Sequence, residues 1–268
     1  MKFSLFTCLF YFIFLLPLSS QESSTRKNHT DDNGLRQGYW ERKYPNGNIQ
    51  YHGTFRDDHP VGELVRYFPN GNKLAVLVFC SLGKRAEAKL FYEGGNLAAM
   101  GIYVDEQKDS VWKYYSFYND NLISTVTYNM GVKEGQSTVY YPNGRISESF
   151  WYESGSRNGP WLQYYENGKV RVKSEFKNDQ RHGDFIFYSP GGRTEMKGSY
   201  DKNQMHGEWI FYGESGNVVS VINYVEGRAD NEDELIDREQ EMFREIEQMR
   251  GRIPEPDESE IFSPRRHY

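Results

Sequence analysis

A period of 24 residues runs through this chain from Gly38 to about Asp230, and it limits the fold more than any other feature. Successive copies begin at Gly38, Gly62, Ala86, Ser110, Gly135, Gly159, Gly183 and Gly207, with a single 25-residue step after Ser110. One unit of this length is a supersecondary element that cannot bury its own apolar side chains, so it must stack on its neighbours. The 268 residues would otherwise allow two ordinary domains, but the repeat argues for one continuous array.

Two aromatic columns follow the period. The sixth position holds Lys43, Tyr67, Phe91, Tyr115, Tyr140, Tyr164, Tyr188 and Tyr212, and the eighteenth holds Phe55, Phe79, Tyr103, Tyr128, Tyr152, Phe176, Tyr200 and Tyr224. With aromatics at 16% of the chain, eight in an unbroken column is not chance. Tyr44-Pro45-Asn46-Gly47, Phe68-Pro69-Asn70-Gly71 and Tyr141-Pro142-Asn143-Gly144 predict three-residue hairpin loops, with proline fixing φ in a type I turn and glycine supplying φ > 0. The fourth copy takes its extra residue at this turn, in Phe117-Tyr118-Asn119-Asp120. After the turn, Val170, Val172, Ser174 and Phe176 alternate with Lys169, Arg171, Lys173 and Glu175, the period of a strand with one buried face. Tyr164 is expected across from Val170 on that face.

These elements predict an all-β fold: an elongated single-layer antiparallel sheet or solenoid of eight hairpins. Its sixteen strands would span roughly 75 Å. Tyr152, Phe176 and Tyr200 are expected in its core. Trp40, Trp112, Trp161 and Trp209, with Phe185, form a third column of opposite parity, interrupted by Ala88 and Ser137. An interrupted column with a local cluster reads as a contact patch, so Trp161, Phe185 and Trp209 are the candidate binding residues.

The segments outside the array read differently. Lys2, the apolar run Phe3 to Leu16 and the exit Pro17 to Ser20 read as a secretory signal peptide over residues 1–20, which predicts export to a periplasmic, outer-envelope or extracellular location. Residues 21–37 read as a flexible lead-in containing an Asn28-His29-Thr30 sequon. Residues 231–250 read as an amphipathic helix, with Leu235, Met242, Ile246 and Met249 on one side, that caps the array or dimerises it. Residues 251–268 read as a disordered acidic tail. The formal net charge is −6, and the part from Arg228 onward accounts for −6 by itself, so the array is near neutral. Neither nucleic acid nor an anionic membrane is an expected partner. Without the leader, Cys80 is the sole cysteine, so packing and not a disulfide must hold the fold.

The pattern Gly-x-Trp-x-x-Tyr-Tyr-x-x-Gly, followed by an aromatic eight residues later, resembles the MORN repeat variant of bacterial YwqK-type antitoxin proteins. The resemblance covers residues 38 to about 227. It implies a single-layer antiparallel sheet of hairpins used for protein or lipid contact. The antitoxin label implies neutralisation of a partner toxin, and the family supplies no catalytic residues.

On their own chemistry the residues offer no enzyme. There is no His-Glu-x-x-His, nucleophile elbow, phosphate loop or cysteine pair, and no metal or cofactor is expected. His182 and His206 each precede a repeat glycine and read as turn residues; Cys80 reads as a small apolar residue at a strand end. Asp31-Asp32-Asn33-Gly34 opens like a calcium loop but lacks the distal glutamate. The expectation is a non-catalytic exported protein-interaction or scaffold module. An antitoxin or immunity protein and a carbohydrate- or envelope-binding protein are the alternatives.

Overall fold

The computed structural model describes residues 27–80, 83–230 and 244. The expected leader, the helix over 231–250 apart from Arg244, and the tail lie outside the described residues. Among the described residues eighteen strands follow one another: β1 (His29–Thr30), β2 (Arg36–Lys43), β3 (Ile49–Arg56), β4 (His59–Tyr67), β5 (Lys73–Cys80), β6 (Arg85–Phe91), β7 (Leu97–Val104), β8 (Gln107–Tyr115) and β9 (Leu122–Asn129). They continue as β10 (Val132–Tyr140), β11 (Ile146–Glu153), β12 (Ser156–Tyr164), β13 (Val170–Lys177), β14 (Gln180–Tyr188), β15 (Thr194–Asp201), β16 (Gln204–Tyr212), β17 (Val218–Val225) and β18 (Arg228–Ala229). Each pairs antiparallel with the next, giving one open sheet. The two strands beyond the expected sixteen are the two-residue stubs β1 and β18, one at each end.

Two kinds of hairpin alternate. Within a repeat, Gly47 N donates to Tyr44 O at 2.9 Å and Tyr44 N to Asn48 O at 2.8 Å, and Gly47 has φ 88°, as the proline-glycine chemistry requires. The fourth copy spans one residue more, with Ser116 N donating to Asn121 O. Between repeats, apart from the four-residue β5–β6 junction, the loop is two residues with positive φ at both, as at Asn178 (51°) and Asp179 (64°), the primed turn that matches strand twist. Short polar residues tolerate that region, which is why these turns read as polar.

Register decides the faces. Gly159 pairs with Phe176, Trp161 with Ser174 and Gln163 with Val172, so the third, fifth, fourteenth, sixteenth and eighteenth positions share one face, here the inner face. A bulge then shifts the register, and Tyr164 pairs with Val170 as expected. The bulge also breaks the alternation: Arg171 and Val172 are both buried, as are Leu74–Ala75 and Ala98–Ala99 after the corresponding bulges. Tyr164 therefore stands with Leu162 on the outer face, not with Phe176. The aromatics occupy both faces, the sixth-position rings half-buried outside and the third- and eighteenth-position rings inside.

The core lies along the inner face in two clusters, one from Leu74 to Tyr128 and one from Phe150 to Tyr224. Phe176 and Tyr200 are buried as expected, whereas Tyr152 is half-buried at the margin of the second cluster. Residues 27–35, expected within a flexible lead-in, are tied down instead. His29 pairs with Gln37, and the Asp31 carboxylate accepts from Asn33 N and Leu35 N at 2.9 Å each.

Candidate functional site

The expected contact patch is core. Trp161 is 2% exposed and Phe185 and Trp209 are 0% exposed, with Trp112 equally sealed in the other cluster. The sequence reading overlooked what lies across the strand. At Ser137 the cross-strand partner is Phe150, a large ring that fills the place of the missing indole. At Ala88 the partner is Gly101, on which the Trp112 ring of the next repeat lies. The interruptions conserve volume, which is a packing rule and not a sign of binding. The indole N–H groups are also satisfied internally: Trp112 donates to Ile102 O at 3.0 Å and Trp209 to Ser199 O at 3.1 Å.

Trp161 differs, because its N–H donates to the Glu148 carboxylate at 2.7 Å, which also accepts from Gln163 at 3.2 Å. Glu148 is 2% exposed and sits where the two apolar clusters meet, among buried Ser124, Ser137, Gln163, Arg171 and Ser174. Arg171 packs its guanidinium between the Tyr165 and Phe187 rings, 5.5 and 5.6 Å from their centroids. This seam runs from the fourth to the sixth repeat, beyond the longer fourth-copy turn.

Both long edges are zipped by side chains. At the turns within repeats, the Tyr44 hydroxyl donates to Tyr67 O, Tyr92 to Tyr115 O, Tyr141 to Tyr164 O and Tyr165 to Tyr188 O, each linking one repeat to the next. At the turns between repeats, a cation covers the eighteenth-position ring: Arg36 over Phe55 at 4.0 Å, Arg157 over Phe176 at 4.2 Å and Arg181 over Tyr200 at 4.6 Å. Arg36 and Arg157 are in turn held by Asp58 and Asp179, at 2.8 and 2.9 Å. The Arg36 hydrogen bonds hold the Asp58 carboxyl below its ordinary value.

Over the sixth and seventh repeats the outer face exposes Lys173, Glu175 and Lys197 around half-buried Ile186, and the last repeat exposes Val219 and Val221. Over repeats two to four it becomes aliphatic. One row across the strands reads Glu63, Val78, Glu87, Ile102 and a second reads Val65, Val76, Lys89, Met100, Lys113. Val78 is 46% exposed and neighbouring Val111 49%. Apart from buried Val65, these residues line a shallow groove of about 430 Å³. The signal was present in the sequence: Lys73–Cys80 (KLAVLVFC) is apolar on consecutive residues, the mark of a strand apolar on both faces.

The other singled-out residues play structural parts. His182 Nδ1 lies 3.3 Å from the exposed Asp201 carboxylate, and the His206 carbonyl accepts from Ser199. Cys80, expected to be a small apolar residue, is exposed at the end of β5, and its thiol approaches Arg85 O. Asp31 holds its own loop, and those backbone bonds, the one from Leu35 foremost, keep its carboxyl below the usual range. Among the described residues no three His, Cys, Asp or Glu side chains converge to hold a metal.

The regular hairpins and their aromatic columns have a counterpart in a known repeat. The MORN repeat variant model matches residues 36–57, 157–178 and 205–226. Those segments are β2–β3, β12–β13 and β16–β17, each one hairpin with a third-position tryptophan and an eighteenth-position aromatic. No curated protein matches the chain. Among solved structures, the crystal structure of TcdB2-TccC3-TEV aligns at 11% identity over 69% of this chain, with a TM-score of 0.17. The chain spans 13% of that chain's length, and at that TM-score the likeness supports no conclusion.

Proposed function

We propose that this protein is an exported, non-catalytic interaction module that binds another protein through the outer face of its second to fourth repeats. The observation that carries the proposal is the change of surface along one sheet. Hairpins of the same backbone expose Lys173, Glu175 and Lys197 in the sixth and seventh repeats but present Val78, Ile102, Met100 and Val111 here. Exposed aliphatic side chains set between acidic Glu63 and Glu87 on one side and basic Lys89 and Lys113 on the other suit a partner carrying both charge signs around an apolar centre. With two acidic and two basic residues along it, the groove gives a polyanion or an anionic bilayer no net attraction. The aromatic columns lie in the core or half-covered, which leaves the protein-binding reading better supported than sugar stacking.

Replacing Val78 and Val111 together by lysine tests this, because both are half-exposed and neither belongs to a buried cluster. Affinity purification from the native host, with wild type and the double variant side by side, should recover a protein that the variant loses while its melting temperature stays within a few degrees. A partner kept equally by both excludes this face. Export rests on the leader-like residues 1–20; a protein recovered outside the cytoplasm with its N-terminus near Gln21 is the expected outcome, and one beginning at Met1 in the cytoplasm would oppose it.

A further inference from the structure

The apolar core is not continuous along the sheet. Among the described residues its buried side chains skip from Tyr128 in β9 to Phe150 in β11. Tyr128 closes the first cluster, with its hydroxyl 3.0 Å from that of Tyr114, and Phe150 opens the second, its ring 6.3 Å from Phe176. The strand between them, β10, sends Gly135, Ser137 and Val139 to the inner face, and Ser137 stands where Trp112, Trp161 and Trp209 stand in other repeats.

Polar side chains fill the gap without being paired there. Ser124 and Ser137 are 0% exposed, and neither hydroxyl has a hydrogen-bond partner. In the sixth repeat Ser174 Oγ and Gln163 Oε1 are likewise buried without one. Each of these atoms has given up water and received nothing in return, which weakens the packing around it. The first cluster handles the same positions differently: the place of Ser124 is taken by Ala75 and Ala99, both 0% exposed, and that of Ser137 by Ala88. The period also breaks beside the gap, at the longer turn of the fourth repeat. In a repeat array, stability is a sum over units and over the interfaces between neighbours, so one poor interface divides the array into blocks that open separately.

We propose that the sheet consists of two cooperative units, β2–β9 and β11–β17, joined through β10, and that either can open while the other stays folded. The surface assigned above to protein binding, Val78 to Val111, lies wholly in the first unit and is kept when the second opens. The division itself does not depend on that surface.

Hydrogen exchange of the purified full chain, read by mass spectrometry, is the test. Core deletions are the perturbation, because they change the opening of a whole unit, whereas loss of one turn hydrogen bond acts locally. Leu77 and Met196 are both 0% exposed, one in each cluster. Leu77→Ala should speed exchange at least tenfold throughout β3–β9 and leave β11–β17 within twofold of wild type, and Met196→Ala should do the reverse. Acceleration of all strands alike, or a gradual decline with no step at β10, overturns the proposal. Where an alanine variant does not fold, Leu77→Val or Met196→Val takes its place and a threefold step decides. Ser124→Ala combined with Ser137→Ala, which copies Ala99 and Ala88, should slow exchange in β9–β11 at least threefold. Equal or faster exchange there would mean that the unpaired hydroxyls do not weaken the junction, and would also overturn it.

Discussion

The indole of Trp112 lies flat on the backbone of Gly101, so close that a Cβ at that glycine would stand 2.4 Å from Cδ2 of the ring. This contact is how a single layer of strands seals a tryptophan. Lying down across the neighbouring strand, the ring is closed off by Tyr103 at 4.7 Å and by the Lys108 side chain above it at 5.0 Å. Gly198 and Trp209 repeat the device in the second cluster. Gly101→Ala and Gly198→Ala should each cost about 1–3 kcal/mol, the usual penalty for forcing a methyl into a filled core. Neither glycine has a positive φ, so the loss is steric alone. Chemical denaturation measures it, and a change below about 0.5 kcal/mol would show that the ring lifts away freely.

Trp161→Ala and Phe176→Ala should destabilise the protein to a similar extent, about 3–5 kcal/mol each. Their rings are 5.4 Å apart and both are almost fully buried. Loss of Trp161 also removes the 2.7 Å donor to Glu148, so the carboxylate is left less well satisfied in a buried seam. The two changes share a contact and will not add, and the double variant should lose less than the sum. An equilibrium unfolding series on the three variants settles the matter; a Trp161→Ala variant as stable as wild type would return that ring to the surface.

The period, the hairpins, the glycine turns and the position of the extra residue at Phe117–Asp120 were all legible because each rests on local chemistry that a single strand or turn carries in its own residues. The faces were not. Tyr164 and Phe176 share even numbering in the repeat, yet the bulge at Arg171 places them on opposite sides, and a bulge leaves no mark in hydrophobic periodicity when Val, Arg and Val follow in sequence. The burial of Trp161, Phe185 and Trp209 was illegible for another reason: it depends on Phe150, Ser174 and Gly198 across the strand, which a column read alone does not include. The cations over the Phe176 and Tyr200 rings were present in the spacing from Arg157 to Phe176 and from Arg181 to Tyr200, nineteen residues in each case, and could have been found.

Acid should loosen the first repeat in a way that depends on Asp58. Its carboxyl is held below the ordinary 3.8 by the Arg36 side chain first, then by the Arg36 backbone. A carboxyl with a depressed folded pKa stabilises the protein above its unfolded value, and that contribution is lost as pH falls through the folded one. The melting temperature of wild type should therefore exceed that of Asp58→Asn by a small, constant margin above about pH 5, and the two should converge as pH drops below about 4. The pair is half-exposed, which keeps the margin to about 1 kcal/mol or less. A gap that persists unchanged at pH 2 would assign the effect to something other than this carboxylate.

The tyrosine ladder along the turns couples neighbouring repeats, and its effect should be local. The Tyr165 hydroxyl donates to Tyr188 O at 2.6 Å, and the same ring lies under Arg171, 5.5 Å from its centroid. Tyr165→Phe keeps the ring and removes only the donor, so it should cost about 0.5–1.5 kcal/mol, the net value of one such bond. Phe68 occupies the equivalent place in the second repeat, which shows that the phenyl ring fits the position without its hydroxyl. In an array held by nearest-neighbour contacts, the weakening should appear at the junction of the sixth and seventh repeats and fade beyond it. Amide hydrogen exchange should therefore speed up in β12 to β15 and remain unchanged in β3 to β6. The Tyr44→Phe variant, whose lost bond to Tyr67 O lies in the first junction, should show the reverse distribution. Uniform acceleration along the whole chain in both variants would mean that the sheet opens as one cooperative unit and that the ladder does not act repeat by repeat.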